Sequence, residues 1–166
     1  MPTVVITGAS GFIGSHCAKK LKLNGFNVIP VTRKKIRGMI TVNDYHDVPS
    51  GDILIHLGED SDRRSVNSLG VDYFNIATSG VEILAKKFDG RIIYGSSAVV
   101  YGQQGTQPFK TDCKTYSVDT YSSIKVANES TITSFGGISF RFSNVFGEGM
   151  SEKNVLSDII KQLNAD

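Results

Sequence analysis

The feature that most constrains the fold is the N-terminal segment 3–14, which reads Thr-Val-Val-Ile-Thr-Gly-Ala-Ser-Gly-Phe-Ile-Gly. An apolar, β-branched run at residues 4–6 has the length and composition of a buried strand. Three glycines then recur at three-residue intervals, namely Gly8, Gly11 and Gly14. Such glycines allow a sharp turn, a close approach of backbone to phosphate, and tight packing of a helix on the strand. The segment therefore predicts a turn, completed by Ser10, Phe12 and Ile13, that binds a dinucleotide diphosphate at a helix N-terminus.

The spacing of these glycines leaves an alternative open. It is G-x-x-G-x-x-G rather than the common G-x-G-x-x-G, and the chain holds 17 glycines, so a purely structural turn competes with a binding turn. The residues that follow favour the binding turn. They predict a helix over 12–23 that ends at Asn24-Gly25, with one apolar face formed by Ile13, Cys17 and Leu21.

Length and composition narrow the class of protein. A chain of 166 residues can bury about 70% of its unfolded surface, so we expect a single domain, residues 1–166. The net charge of +2 is too small to indicate a nucleic acid or membrane partner, and it favours a small molecule. Cys17 and Cys113 have neither metal-site spacing nor disulfide-scaffold density, so we expect free thiols and no metal. No apolar stretch approaches the ~20 residues of a membrane span, and we expect a cytoplasmic protein.

Apolar runs alternate with amphipathic stretches along the whole chain. Further strands are predicted at 26–32, 39–42, 52–57, 91–94 and 137–142, and further helices at 65–87 and 117–134. This alternation predicts an α/β fold, a Rossmann-like doubly wound parallel sheet between two helical layers, with ligands beyond the carboxyl ends of the strands. Pro30 is unfavourable in a central strand, and the connections 33–38 and 44–51 are short for parallel crossovers. These connections must be compact loops, or a strand is misassigned.

Two groups of polar residues are placed where chemistry could occur. Tyr121 and Lys125 lie four residues apart, on one face of a predicted helix. A fixed ammonium favours the phenolate form of a neighbouring tyrosine, which would make Tyr121 a general base for a hydroxyl. Ser96 and Ser97 follow the fifth strand, so their hydroxyls should project from its carboxyl end. Each group alone has a non-functional explanation: the Tyr-Lys pair could arise by chance, and the two serines could simply belong to a turn. Their order along the chain after the glycine turn nevertheless predicts that they lie in one cleft.

These motifs together resemble the extended short-chain dehydrogenase/reductase family, the NAD(P)-dependent epimerases and dehydratases that include UDP-galactose 4-epimerase. The resemblance spans nearly the whole chain, and the matching segments are 7–14, 52–58, 92–102, 121–125 and 140–147. It implies a Ser-Tyr-Lys site acting on a hydroxyl or keto group of a nucleotide sugar or a related small molecule. It also implies a homodimer that packs the helices carrying Asn75 and Tyr121.

The resemblance assigns roles to individual residues. Ser97 matches the catalytic serine, Tyr121 the acid/base, and Lys125 the residue that holds the nicotinamide ribose. Asn75 matches a helix asparagine that helps to place the lysine through water. The remaining implied contacts are with cofactor at Asp44, Leu57, Gly58 and Phe142, and with substrate at Ser96 and Asn144. Tyr45 follows Asp44 in an adenine-contacting pair, but a core or loop role is favoured for it.

The choice of cofactor rests on the end of the second strand. An acidic residue there binds the ribose 2′-hydroxyl of NAD, whereas an arginine accommodates a 2′-phosphate. This chain reads Val31-Thr32-Arg33-Lys34-Lys35 without a carboxylate. We therefore expect NADP rather than NAD, with Arg33 and Lys34 at the phosphate. A solvated basic turn is the alternative.

The C-terminal region departs from the family pattern. The family completes its substrate site with a C-terminal lobe of about 100 residues or more, whereas this sequence ends at Asp166 after one short helix with Val155, Ile159, Ile160 and Leu163 on its apolar face. We expect the substrate lobe to be absent or truncated. A non-catalytic NADP-binding sensor or regulatory module therefore remains an alternative to an enzyme.

Overall fold

Six parallel strands form a single sheet in the computed structural model, which describes residues 1–104, 108–151, 159–160 and 162–163. The sheet order is β3-β2-β1-β4-β5-β6, and every neighbouring pair is parallel. The strands are β1 (Thr3–Thr7), β2 (Asn27–Thr32), β3 (Ile40–Thr41), β4 (Ile53–His56), β5 (Ile92–Ser97) and β6 (Ile138–Phe142). The predicted doubly wound parallel sheet is therefore confirmed.

Within residues 1–104 and 108–151, three helices cover the two faces of this sheet, which gives the predicted three layers. They are α1 (Phe12–Leu23), α2 (Arg63–Phe88) and α3 (Thr120–Ser134). Val4 and Ile6 of β1 pack with Ala18, Cys17 and Leu21 of α1 on one face. The opposite face carries a larger cluster built by β1, β4, β5, α2 and α3, and this cluster forms the main core. As predicted, α1 ends at Asn24-Gly25, where Gly25 has a positive φ of 84°.

The helix predicted over 65–87 is longer and is broken near its start. Gly70 has φ 64° and ψ −149°, which are not helical angles, so α2 consists of a short N-terminal part and a long C-terminal part. The C-terminal part buries one face on the sheet, formed by Ala77, Gly80, Val81, Leu84, Ala85 and Phe88. Leu69 and Ile76, although helically spaced, lie outside this face and are exposed.

The helix predicted over 117–134 begins at Thr120 because the preceding residue caps it. The Asp119 carboxylate accepts a hydrogen bond from the Ser122 backbone N–H, and the Ser122 side chain accepts one from the Asp119 N–H. This reciprocal capping box satisfies two N–H groups that would otherwise lack partners. Ser117 and Val118 therefore stay outside α3.

The third strand is shorter than predicted, and this explains how Pro30 fits the sheet. β3 has two residues, paired with Val31 and Thr32. The Val31 carbonyl accepts a hydrogen bond from the Ala9 N–H on the β1 side of β2. The nitrogen of the preceding residue, Pro30, therefore faces the other side, where β3 has not yet begun and no N–H is needed. The connections 33–38 and 44–51 are compact, the second one containing a short 3-10 helix, Tyr45–Asp47.

Near the C-terminus, Ile159, Ile160 and Leu163 are helical and exposed, whereas Val155 lies outside the described residues. Cys17 and Cys113 are free thiols, as predicted. Within the part of the chain that the structure describes, no helix has the length and apolar character needed to cross a membrane.

The turn between β1 and α1 requires glycine at two positions. Gly8 has φ 70°, and a Cβ there would overlap the Leu57 carbonyl that follows β4. A Cβ at Gly14 would overlap the Gly8 carbonyl, where α1 rests on the turn. Both contacts are with backbone, which cannot move aside as a flexible side chain can.

We expect Gly14→Ala to destabilise the protein by roughly 1–3 kcal/mol, because α1 must move away from the turn. The measurement is the free energy of unfolding in urea. Ser15→Ala on the same helix is the control, since Ser15 is exposed and its side chain only bonds the Phe12 carbonyl. Equal stability of the two variants would contradict the close packing of α1 on Gly8.

His56 lies at the end of β4 and is fully buried, with Nδ1 2.6 Å from the Thr7 hydroxyl. Its ring stacks on Tyr94 at 6.0 Å and meets Tyr45 edge-on at 5.2 Å. Burial lowers the pKa of His56 to about 4, although the Glu59 carboxylate opposes this shift. The imidazole is therefore neutral at physiological pH.

This burial predicts a loss of stability in mild acid. The pKa of His56 in the folded chain lies below its ordinary value, so the unfolded chain binds the proton first as the pH falls. The stabilisation that is present above about pH 6.5 is therefore lost as the pH falls toward 4. The loss should be about 3 kcal/mol. His56→Asn should flatten the dependence of the unfolding free energy on pH over this range. An unchanged slope in His56→Asn would count against a neutral buried imidazole.

Candidate functional site

An open cleft of about 1020 Å³ runs along the carboxyl ends of the strands. It crosses the boundary between β1 and β4, where the sheet order reverses and where ligands bind in sheets of this topology. Most of the residues predicted for cofactor, substrate or catalysis line it: Gly8, Ser10, Gly11, Phe12, Ile13, Gly14, Arg33, Lys34, Leu57, Gly58, Ser96, Ser97, Tyr121, Lys125, Phe142 and Asn144. The structure therefore brings together residues that the sequence spreads over more than 130 positions.

Asp44 and Asn75 are the two predicted residues that do not line the cleft. The Asp44 carboxylate accepts the His46 backbone N–H at 2.7 Å and caps the 3-10 helix. Asn75 is exposed on α2.

Tyr45 packs its ring on Gly80, which has no Cβ, and its hydroxyl donates to the Gly58 carbonyl at 3.4 Å.

The middle of the cleft is formed by the N-terminus of α1. Gly11 occupies the N-cap position, and among the described residues no side chain caps this helix end. The first backbone N–H groups of α1 therefore remain available, and they lie at the positive end of the helix dipole. This arrangement is suited to an anionic group such as a diphosphate.

One end of the cleft is basic. β2 ends at Thr32, whose hydroxyl bonds Ser10 Oγ at 2.8 Å and accepts the Lys34 N–H at 3.1 Å. Arg33 and Lys34 follow as exposed residues on the rim of the cleft. This end of the cleft therefore offers guanidinium and ammonium groups without a neighbouring acidic residue in the chain.

The other end holds Tyr121 and Lys125, which the first two turns of α3 bring to one side of the helix. The Lys125 Nζ lies 5.7 Å from the centre of the Tyr121 ring. The start of α3 is fixed by α2, because Asn67 accepts the Tyr121 backbone N–H at 2.9 Å and donates to Asp119 at 2.9 Å. Arg63 adds a hydrogen bond to the same Asp119 oxygen at 2.5 Å.

These contacts also determine the charge of Asp119. Partial burial raises the pKa of the Asp119 carboxyl, but hydrogen bonds from Ser122, Asn67 and Arg63 lower it further, so the net pKa lies well below its usual range. The carboxylate therefore stays charged and continues to cap α3 across the physiological pH range.

Glu59, a charged partner of Lys125, was not among the residues predicted from the sequence. Glu59 Oε2 lies 2.6 Å from Lys125 Nζ, and both side chains are more than nine-tenths buried. The Tyr94 hydroxyl donates to the same oxygen at 2.7 Å, and Asn128 Nδ2 donates to Oε1 at 2.6 Å. Burial, and next to it the negative charge of Glu59, raise the pKa of Tyr94, so its hydroxyl remains a donor. The available signal was a carboxylate three residues beyond β4, at the edge where the site forms.

The two serines of β5 have different surroundings. Ser97 is half-buried on the cleft side, and its Oγ accepts the Val99 N–H at 3.3 Å. Ser96 is buried and donates to Glu129 Oε1 at 2.5 Å. Arg141 of β6 donates to both oxygens of Glu129, at 3.0 Å and 2.8 Å, and also to the Thr111 carbonyl. Ser96 therefore belongs to a buried hydrogen-bond network that joins β5, α3 and β6.

No group of His, Cys, Asp and Glu side chains with the arrangement of a metal site is found in residues 1–104 and 108–151 or in the four described residues near the C-terminus. The polar side chains that line the cleft include hydroxyl, phenol, ammonium, guanidinium and carboxylate groups.

The chain is similar to sugar-nucleotide enzymes in sequence and in fold. The UDP-N-acetyl-alpha-D-glucosaminuronate decarboxylase of Bacillus cytotoxicus is 30% identical over 133 residues, which are 65% of this chain and 40% of the relative. The NAD-dependent NDP-hexosamine 5,6-dehydratase TunA superimposes with a TM-score of 0.83 at 21% identity, over 99% of this chain and 62% of that structure. MoeE5, in complex with UDP-glucose and NAD, gives a TM-score of 0.82 at 22% identity, with coverages of 99% and 62%.

The chain therefore spans less than two thirds of each of these proteins. The family model described as "NAD dependent epimerase/dehydratase family" matches residues 4–166, almost the whole sequence. The resemblance predicted from the motifs is confirmed: the chain belongs to the NAD-dependent epimerase/dehydratase family.

Proposed function

We propose that this chain is the cofactor-binding part of an NAD(P)-dependent epimerase, dehydratase or oxidoreductase that acts on a hydroxyl or keto group of a nucleotide sugar. The observation that carries the proposal is that Ser97, Tyr121 and Lys125 line the same cleft as the glycine turn and the uncapped end of α1. MoeE5 is named with UDP-glucose, and the decarboxylase with UDP-N-acetyl-alpha-D-glucosaminuronate; these two UDP-sugars support nucleotide sugars as the substrate class.

The cleft fits a dinucleotide along its length. No side chain of the described residues caps α1, so the first backbone N–H groups of this helix can donate to a diphosphate. Leu57 and Gly58 line the floor, Arg33 and Lys34 stand at one end, and Phe142 lines the other. We assign the adenosine half to the basic end and the nicotinamide half to the end that contains Lys125.

The residues at the nicotinamide end can then move a proton. When bound, the cofactor would supply the hydride acceptor and donor. The Tyr121 side chain would act as the base that takes the proton of the substrate hydroxyl, and Ser97 Oγ would donate a hydrogen bond to the same oxygen as it becomes a carbonyl. Lys125 would hold the ribose and supply positive charge. Ser96 already donates to Glu129, so it would offer the substrate an acceptor, and Asn144 would contact it from the loop after β6.

We propose NADP as the preferred cofactor. The end of β2 carries no carboxylate to bind a ribose 2′-hydroxyl, whereas Arg33 and Lys34 on the cleft rim can pair with a 2′-phosphate. MoeE5 contains NAD, so the two cofactors must be compared directly.

Tyr121→Phe tests the catalytic assignment. We expect turnover of UDP-glucose or UDP-galactose to fall by about 10²–10⁴-fold, because the proton acceptor is removed, while the dissociation constant of the cofactor changes by less than about threefold. Hydride transfer is followed by absorbance and cofactor binding by fluorescence. Tyr116→Phe, at an exposed tyrosine outside the cleft, is the control. Full turnover by Tyr121→Phe would refute the assignment, and cofactor binding without turnover in the unmodified chain would favour the sensor module.

Arg33→Asp tests the cofactor preference. We expect the unmodified chain to bind NADPH about tenfold or more tightly than NADH, and Arg33→Asp to reverse this order, because the new carboxylate repels a phosphate and can accept a 2′-hydroxyl. Fluorescence titration with both cofactors gives the dissociation constants. Arg37→Asp makes the same charge change in the same loop but outside the cleft, and it should keep the preference. Tighter binding of NADH by the unmodified chain would overturn the assignment of NADP.

A further inference from the structure

The ammonium of Lys125 has two of its three hydrogen-bond donors committed within the protein. One N–H faces Glu59 Oε2 at 2.6 Å and another faces the Gly95 carbonyl at 2.9 Å. An ammonium has three donors and no acceptor. Because Lys125 lines the cleft, one donor remains for a ligand there.

Glu59 is itself held in place by β5 and α3. The Tyr94 hydroxyl fixes Oε2, and the Asn128 amide fixes Oε1. These donors belong to rigid elements, and the Glu59 side chain is only 8% exposed. The carboxylate therefore cannot follow Lys125 if the lysine moves, and it acts as a fixed point for the ammonium.

We propose that Glu59 is a positioning residue for Lys125, and that its carboxylate holds the ammonium at the floor of the cleft with one N–H directed toward the ligand. The inference rests on the proposed function, since it gives Lys125 a role toward the cofactor. An ammonium this deeply buried is costly unless a charge and hydrogen bonds compensate it. The Tyr94 ring also compensates the charge of the ammonium, since Lys125 Nζ lies 4.9 Å from the centre of that ring.

Removal of the carboxylate charge should release Lys125. Glu59→Gln keeps the shape, and its carbonyl oxygen can still accept from Lys125. Its amide can donate to Asn128 Oδ1, a buried atom without a partner in the described residues, once the Asn128 amide turns over, because Asn128 Nδ2 faces this position in the unmodified chain. Without its counter-charge, the ammonium is drawn toward water and no longer presents its N–H at one fixed place. The effect on the cofactor should therefore depend on the presence of Lys125.

The first measurement needs no cofactor. The folded chain is methylated reductively, and the modification of Lys125 is followed by mass spectrometry of the peptide that contains it. The rate at Lys125 should rise at least about fivefold in Glu59→Gln. Glu82→Gln is the matched control, since Glu82 pairs with Lys86 at 2.5 Å on the exposed side of α2, and the Lys125 rate should stay unchanged there. An unchanged rate in Glu59→Gln would overturn the proposal, whatever the result with cofactor.

The second measurement is a double-mutant cycle on the dissociation constant of NADPH. Glu59→Gln should weaken binding about tenfold when Lys125 is present and less than about twofold in the Lys125→Met background. Equal effects in both backgrounds would show that Glu59 acts on the fold and not through Lys125, and would overturn the proposal. If Lys125→Met alone leaves the affinity unchanged, the role of Lys125 in the proposed function fails, while the methylation rate still decides the role of Glu59.

Glu59→Asp covers the case in which Glu59→Gln does not fold, as judged by circular dichroism. Aspartate keeps the charge but withdraws it from Nζ, so we expect a methylation rate between those of the unmodified chain and a Glu59→Ala variant. A rate equal to that of the unmodified chain would contradict positioning by a contact at 2.6 Å.

Discussion

The structure depends on the close approach of β1 to β4 at Gly8, where a side chain would overlap the Leu57 carbonyl. At this boundary the order of the sheet reverses, with β2 and β3 on one side and β4 to β6 on the other. The loops after β1 and β4 therefore diverge and leave a cleft between them. Because the cleft spans both halves of the sheet, the glycine turn of one half and Tyr121 of the other border the same space.

A second constraint aligns α3 with that cleft. The short part of α2 before Gly70 points its polar side chains at the first turn of α3, through Asn67 and Arg63. The longer part after Gly70 packs on the sheet instead. Because the helix is broken at Gly70, α2 both contacts the first turn of α3 and packs on the sheet. The orientation of Tyr121 is therefore coupled to the main core through α2.

Much of this fold could be predicted from sequence, because strands buried on both faces leave continuous apolar runs and the glycine turn has an unusual composition. The details that failed depend on contacts between distant residues. The start of α3 is decided by the Asp119 cap, and α2 is broken by the non-helical angles of Gly70. Glu59 was missed because its partners, on β5 and α3, follow it by at least 35 positions.

The charges of the site divide along the cleft, and this division favours one orientation of a dinucleotide. Lys125 is paired with Glu59, and Arg141 with Glu129, so the positive charges of these two side chains are compensated within the protein. At the other end no carboxylate of the described residues pairs with Arg33 or Lys34, and the open N-terminus of α1 adds positive potential. Phosphates are therefore attracted to the glycine turn and to the basic rim. Under the proposed function, the nicotinamide half of the cofactor would then lie at the end that contains Lys125.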